Sequence, residues 1–150
     1  MNNIEKLQVV EAILERACEQ LGDITEPVMS EFYRADSALE AVFTQHRPVD
    51  TIRLEAGMVE QALYCYMRWF ESPGEIEMTL LGSVPHHVET LNVSVEHYRR
   101  LLLATETVVR NTIPEKNEVE LAVWREISAS LLSLIETATG YVYSSTASAE

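Results

Sequence analysis

Apolar residues recur at spacings of three and four along most of this chain of 150 residues. The first stretch shows the pattern in six residues of one stripe, Ile4, Leu7, Val10, Leu14, Ala17 and Leu21. Such a stripe is typical of an amphipathic helix, and no segment shows the apolar-polar alternation of a half-buried strand. Glycine and proline, with five residues each, are too scarce for a strand-and-turn architecture. The sequence therefore predicts an all-α fold of six to seven helices.

Breaker residues divide the chain into helices of unequal length. The predicted helices cover residues 3–21, 25–33, 37–43, 49–70, part of 75–91, 94–111 and 117–139. Gly22 should end the first helix, and Thr25 is the predicted cap of the second. Pro85 should either kink the fifth helix or start a fresh short one, because proline cannot continue a helix cleanly. A further break is expected at Val93-Ser94.

One domain is expected, since a chain of this length can bury a sizeable core. We place this domain at residues 1–140, because Gly140 should end the last helix. Residues 141–150 are rich in serine and alanine and are predicted to form a flexible C-terminal tail.

The charge balance is strongly acidic, with 24 acidic and 11 basic residues and a net charge of -13. Such a chain is repelled by phosphate backbones and anionic lipids, so neither nucleic acid nor a membrane is an expected partner. The N-terminus lacks a basic segment followed by an apolar core, and no apolar run reaches the roughly 20 residues of a membrane helix. A cytoplasmic location is therefore expected.

Cysteine is used sparingly, at Cys18 and Cys65 only. Two distant cysteines exclude a disulfide framework and a four-thiolate zinc site. Both lie in apolar periodic stretches, so we expect both to be buried free thiols.

Two adjacent histidines, His86 and His87, are the most distinctive feature. If the segment is helical, Leu80, Val84 and Leu91 share the face of His87, because residues three, four and seven apart lie together. His86 has polar residues at the matching offsets. His87 is thus predicted to point inward, either as a hydrogen-bonded core histidine or as a ligand, whereas His86 points outward.

Three segments resemble bacterial globins, and the match in order and spacing extends from Ile4 to Ala138. Residues 32–43 are similar to the globin stretch that joins the second and third helices and ends in a phenylalanine packed on haem, here Phe43. Residues 122–124 resemble the last-helix pattern of these globins.

The third segment, residues 87–98, resembles the proximal half of a globin haem pocket. In the family a histidine is followed by a valine six residues later and by an aromatic residue eleven later. These offsets give His87, Val93 and Tyr98. The resemblance thus implies a globin-like fold that binds haem b, with His87 as the proximal ligand of the iron.

The same resemblance implies the rest of the pocket. The apolar lining would come from Met29, Phe43, Leu54, Met58, Leu91, Val93, Tyr98 and Leu102. The haem propionates would be contacted by Arg47, Arg53 or His46.

Two departures from the family concern function. Gly82 lies five residues before His87, whereas the corresponding family glycine lies three before its histidine. The distal position falls at Arg53, Leu54 or Glu55, and the apolar stripe favours Leu54. With Leu54, and with Met29 at the position that is often tyrosine, no distal hydrogen-bond donor is evident. Such a pocket should favour carbon monoxide or nitric oxide over oxygen, unless Arg53 is the distal residue. His46 is a candidate sixth ligand.

Two functions from different classes follow. The first is a haem-binding globin that binds a diatomic gas (oxygen, carbon monoxide or nitric oxide), as a sensor rather than a store. The alternative is a haem-free globin-fold module for regulation or protein interaction. Enzyme activity is not expected, because nitric oxide dioxygenases need reducing equivalents and this chain has no flavin or nicotinamide domain. A dioxygenase or peroxidase-like side activity is the third alternative. The family also allows a homodimer through the last two helices.

Overall fold

A computed structural model describes residues 1–43, 48–91 and 95–148, with side chains for residues 1–41, 50–82 and 95–138. Over these ranges the backbone forms seven helices and no strand, which confirms the predicted all-α fold. The helices are α1 (Asn3–Leu21), α2 (Thr25–Arg34), α3 (Ser37–Phe43), α4 (Pro48–Arg68), α5 (Pro73–Leu91), α6 (Val95–Arg110) and α7 (Glu118–Ser148).

Both ends of α1 are set by local chemistry. At its start the Asn2 side chain accepts a hydrogen bond from the Glu5 backbone N–H (2.8 Å), and the Glu5 carboxylate accepts one from the Asn2 N–H (2.9 Å). This reciprocal pair satisfies two N–H groups that a helix start leaves open. At the other end Gly22 has a φ of 68°, and its N–H donates to the Cys18 carbonyl at 2.8 Å. The predicted end at Gly22 is confirmed.

Replacing Gly22 and Gly57 by alanine should have opposite effects. A Cβ atom added at either position meets no heavy atom within 4 Å, so only the backbone conformation differs. Gly22→Ala should lower the free energy of unfolding by about 1 kcal/mol, because a positive φ brings Cβ close to the following carbonyl oxygen. Gly57→Ala, inside α4, should raise it by roughly 0.5 kcal/mol through helix propensity. Urea unfolding of both variants tests this, and shifts of the same sign would contradict it.

Two predicted boundaries are wrong, and one of two alternatives at Pro85 is excluded. The N-cap of α2 is Ile24, not Thr25, and the N–H of Thr25 bonds the Asp23 carboxylate at 2.9 Å. No fresh helix starts near Pro85, because α5 is one helix from Pro73 to Leu91 that packs along α7; the alternative of a kink stays a prediction. The last helix continues through Gly140 to Ser148, since one glycine costs a helix only about 1 kcal/mol. The break at Val93-Ser94 lies outside the described residues.

Helix packing follows a simple plan. The long α7 packs against α1, α5 and α6, while α2 packs between α4 and α6. By contrast, α5 lies mainly on α7 and touches α4 and α6 only lightly. This order and packing of helices is consistent with a globin-like fold. The division into a domain at residues 1–140 and a flexible tail at 141–150 stays a prediction.

An aromatic stack forms the centre of the core. Tyr66 of α4 and Trp124 of α7 are both 1% exposed, and their rings lie 4.4 Å apart at an interplanar angle of 19°. The indole N–H donates to the Glu106 carbonyl at 3.2 Å. The Tyr66 hydroxyl donates to the Leu102 carbonyl at 3.3 Å and lies 3.2 Å from the Ser128 hydroxyl oxygen. Because every buried polar atom of the pair has a partner, the stack fixes α4, α6 and α7 together without an unpaired group.

The two cysteines differ from each other. Cys65 is buried as predicted, and burial raises the pKa of its thiol to about 11. Cys18 is exposed, so the prediction that both are buried is wrong for this residue. It lies outside the face of α1 that carries Val10, Ile13 and Ala17, the buried residues of that helix.

A buried ion pair joins the first helix to the last. The Arg16 guanidinium donates to both carboxylate oxygens of Glu120, at 2.5 and 2.7 Å. The Glu120 side chain is 8% exposed and that of Arg16 27%. This hydrogen bond raises the pKa of Arg16. Two parallel bonds fix direction as well as distance, so the pair sets how α1 lies on α7.

Candidate functional site

The C-terminal end of α4 contacts the start of α5. Alternate spacings of four and three residues place five side chains on a single stripe of the helix, Leu54, Met58, Gln61, Cys65 and Arg68. At the end of this stripe the Arg68 guanidinium pairs with Glu75 of α5 at 3.5 Å. Tyr64, one turn earlier, donates its hydroxyl proton to the same carboxylate. We name these five residues the α4 stripe. Its last member, Arg68, contacts Glu75 of α5.

The two helices meet at Ser72. Its N–H donates to the Arg68 carbonyl at 2.8 Å, and its own carbonyl accepts from Ile76 at 3.2 Å, so the chain keeps helical bonding around the corner. Met58 lies 14 residues before Ser72, and His87 lies 15 residues after it. At a rise of 1.5 Å per residue, each lies about 21 Å from the corner. The two residues are thus equally far from the corner along their helices, but α4 and α5 touch only lightly because α5 packs mainly on α7.

Four of the predicted pocket residues come together in one core. Met29 of α2 and Leu102 of α6 are buried, and Met58 and Tyr98 are half-buried against the same cluster. They come from α2, α4 and α6, and we name these four residues of the core the apolar base. The predicted Leu54 belongs to that stripe and is 36% exposed.

The three alternatives for the distal position have different surroundings. Arg53 is exposed on α4, and Leu54 is partly exposed at the edge of the apolar base. Glu55 is half-buried and turns towards α2. Leu54 and Glu55 lie four and three residues before Met58, so both share its face of α4, whereas Arg53 does not.

The remaining predicted residues are not fully described. His46, Arg47 and Val93 lie outside the described residues. Phe43 is the last residue of α3, and His87 and Leu91 lie in the final turns of α5, but their side chains are likewise outside the described set. Their roles as haem contacts and as iron ligand stay predictions.

A polar pair that the sequence did not suggest lies between α2 and α4. Tyr33 is half-buried, and its hydroxyl lies beside the Glu55 carboxylate. Burial, followed by the hydrogen bond and negative charge of Glu55, raises the pKa of Tyr33 far above its usual range. The hydroxyl thus keeps its proton at any physiological pH. One signal could have located it: Tyr33 follows Met29 by four residues and so shares its face of α2.

His97 is half-buried on α6. Burial, together with the nearby Arg100 guanidinium, lowers the pKa of its imidazole. Arg100 itself pairs with Asp36 at 3.3 Å, which ties α6 to the corner between α2 and α3. His97, Arg100 and Asp36 are therefore part of the packing of α6.

The described residues suit an apolar planar group better than a bare metal ion. No group of three or more histidine, cysteine, aspartate or glutamate side chains within the described part could hold an ion. Haem needs only one imidazole on its iron and an apolar slot around it. Met29, Met58, Tyr98 and Leu102 supply apolar side chains from three helices of the core. The side chain of His87, the imidazole that the sequence offers for the iron, lies outside the described residues.

Within the described ranges, none of the helices has both the length and the apolar character needed to cross a membrane. Comparisons of the chain with family models, with curated proteins and with solved structures gave no match.

Proposed function

We propose that this chain is a haem-binding globin that binds a diatomic gas, with the His87 imidazole as the proximal ligand of the iron. The observation that carries the proposal is the all-α fold of seven helices, in which Met29, Met58, Tyr98 and Leu102 belong to one hydrophobic core and α5 carries His87. The match of helix order and His87 spacing to the globin pattern supports the same assignment.

Bound haem would supply an iron atom able to bind a gas molecule. The chain's own residues would set what that molecule meets. Met29 and Leu102 would help to exclude water, because both are buried among apolar side chains. The Tyr33 hydroxyl donates a hydrogen bond to the Glu55 carboxylate. A hydroxyl engaged in this way is a poor donor to bound oxygen, so we propose carbon monoxide or nitric oxide as the preferred ligand and sensing as the role.

Hemin titration of the purified protein tests the proposal. A Soret band should appear with one equivalent of hemin, and His87→Ala should abolish it. His86→Ala is the matched control, since it removes the neighbouring imidazole on a different face of α5, and its spectrum should equal that of the unaltered protein. A chain that shifts no hemin absorbance, or a His87→Ala variant that binds hemin as well as the parent, would contradict haem ligation by His87.

A haem-free module for regulation or protein interaction is the second candidate. Three exposed apolar side chains on α4 favour it, since Ile52 is 66% exposed, Met67 52% and Leu54 36%. Exposed apolar side chains on one helix suit contact with another protein. Failure of the hemin titration would support this candidate. A homodimer, and a dioxygenase or peroxidase-like side activity, are further proposals.

A further inference from the structure

We propose that an exposed surface where α4 meets α5 binds a basic amphipathic helix of a partner protein. The surface consists of three apolar and three acidic side chains, Tyr64, Met67, Met78, Glu60, Glu71 and Glu75, and we name it the corner surface. This inference goes beyond gas binding, because none of the six belongs to the predicted haem contacts.

The three apolar side chains of the corner surface lie in solvent. Met78 is 78% exposed, Met67 52% and Tyr64 38%. Buried residues of the same two helices, such as Ala62 and Ile76, lie on the opposite sides, so the three occupy the outer faces of α4 and α5. Exposed apolar side chains that lie together on a folded domain mark a site of contact with another molecule.

Helical spacing and one hydrogen bond connect the surface across the two helices. Glu60, Tyr64 and Met67 follow one another at spacings of four and three, so they form a row along α4. The Tyr64 hydroxyl donates to the carboxylate of Glu75 on α5. Met78 lies three residues after Glu75 and therefore shares its side of α5. The exposed apolar side chains of both helices thus belong to one surface.

Negative charge surrounds these apolar side chains. Residues 60–78 contain four glutamates and a single basic residue, Arg68. The Arg68 guanidinium bonds Glu71 at 3.2 Å and Glu75 at 3.5 Å, so its charge is already paired. The hydrogen bond from Tyr64 lowers the pKa of Glu75, which keeps this carboxylate ionised at neutral pH. Apolar side chains set among carboxylates are complementary to a helix whose apolar face is flanked by lysine and arginine.

Charge also decides between possible occupants. A second copy of this chain would bring the same glutamates to the contact, and its net charge of -13 opposes self-association there. Nucleic acid and anionic lipid are repelled for the same reason. A basic helix is attracted instead, and its apolar face would remove the two methionines and the tyrosine ring from water.

Tyr64 has the properties of an anchor for such a helix. Its hydroxyl is held by Glu75, and the Arg68 guanidinium lies over its ring, 6.0 Å from the centroid. A ring held at two places loses little conformational freedom when a partner binds. Met67 and Met78 complement it, because flexible thioether side chains adapt to apolar partners of different shape.

Fluorescence anisotropy of a labelled peptide titrated with the full chain tests the apolar part of the surface. The probe is a peptide of about 18 leucine and lysine residues, five helical turns, with the leucines on one face. Tyr64→Ser and Met67→Ser should each weaken binding about tenfold, whereas Met67→Leu should keep the parent affinity. Leu21→Ser is the matched control, since it removes an apolar side chain that is 41% exposed on α1. It should leave the affinity unchanged.

Glu71→Lys tests the charge of the surface with the same peptide. It should weaken binding about fivefold at low ionic strength, and the loss should shrink at about 0.5 M salt because salt screens exposed charges. Glu15→Lys is the matched control, because it makes the same change of net charge at an exposed site on α1. It should have a clearly smaller effect.

The outcomes separate a docking surface from general attraction. Equal weakening by Glu71→Lys and Glu15→Lys would show that binding follows net charge alone and would overturn the proposal. Absence of binding, parent affinity in Tyr64→Ser and Met67→Ser, or equal binding of an isomeric peptide with its leucines spread around the helix would also overturn it. Self-association of the chain that Met67→Ser abolishes would assign the surface to a second copy and exclude the proposed partner.

Two further points keep the test decisive. Met78→Ser, at a site that is 78% exposed, replaces any variant whose far-ultraviolet circular dichroism departs from that of the parent. The peptide titration involves no hemin. Its failure therefore leaves the haem proposal standing, and failure of the hemin titration leaves this inference standing.

Discussion

Trp124→Ala should lower the free energy of unfolding by about 3–5 kcal/mol, the usual loss when a fully buried large aromatic side chain is removed. Trp124 is 1% exposed, and its ring stacks on Tyr66 at 4.4 Å. The truncation leaves a cavity between α4 and α7 and removes the donor that the Glu106 carbonyl uses. Urea unfolding followed by far-ultraviolet circular dichroism measures the loss.

A graded variant keeps this prediction testable if Trp124→Ala does not fold. Trp124→Phe retains an aromatic ring against Tyr66 but lacks the N–H bonded to Glu106, so a loss of about 1–3 kcal/mol is expected. Trp69→Ala serves as the control, because Trp69 is only half-buried. Its loss should be clearly smaller than that of Trp124→Ala. Equal losses at the two tryptophans would show that the stack is not the centre of the core.

Arg16→Ala should lower the free energy of unfolding by about 2 kcal/mol. Breaking a fully buried ion pair costs about 3–5 kcal/mol because one charge is left without a partner. The expected value is smaller here, since Arg16 is 27% exposed and water screens part of the interaction. The Glu120 side chain, which is 8% exposed in the pair, would lose its bidentate donor. Chemical unfolding at neutral pH measures the effect.

Arg34→Ala is the matched control for the ion pair. Arg34 also bonds a glutamate at 2.8 Å, but the two residues lie three apart on α2 and the arginine is 78% exposed. Pairs of this kind contribute about 0–1 kcal/mol. If Arg16→Ala cost no more than Arg34→Ala, the contact between α1 and α7 would not depend on the pair. A double variant Arg16→Ala, Glu120→Ala that is more stable than Arg16→Ala alone would show that the unpaired carboxylate causes the loss.

Local signals predicted most helix boundaries. The bounds of α1 and α3 agree with the structure, and those of α4 and α6 agree within about two residues. Gly22 ends α1 because a positive φ is easily adopted only without a Cβ atom. The same kind of signal failed at Pro85 and Gly140, where long-range packing of α5 on α7, or the length of α7 itself, outweighs a local cost.

The candidate site was predicted in part. Helical spacing placed Met29, Met58, Tyr98 and Leu102 on apolar faces, and the structure brings them into one core. Helical spacing did not predict that Glu55 lies beside Tyr33, since that contact depends on how α4 crosses α2. Nor did the sequence show that Leu54 would be partly exposed, because an apolar stripe does not reveal which of its edges another helix covers.

By itself the sequence determined the all-α class, the approximate helix ends and the apolar faces, because spacing, caps and breakers act over a few residues. Only the tertiary structure decided what those faces meet. Arg16 and Glu120 are 104 residues apart in the chain, and Tyr66 and Ser128 are 62 apart, so no local pattern joins them. The packing of α5 mainly on α7 is also tertiary, because no local pattern in either helix specifies its partner.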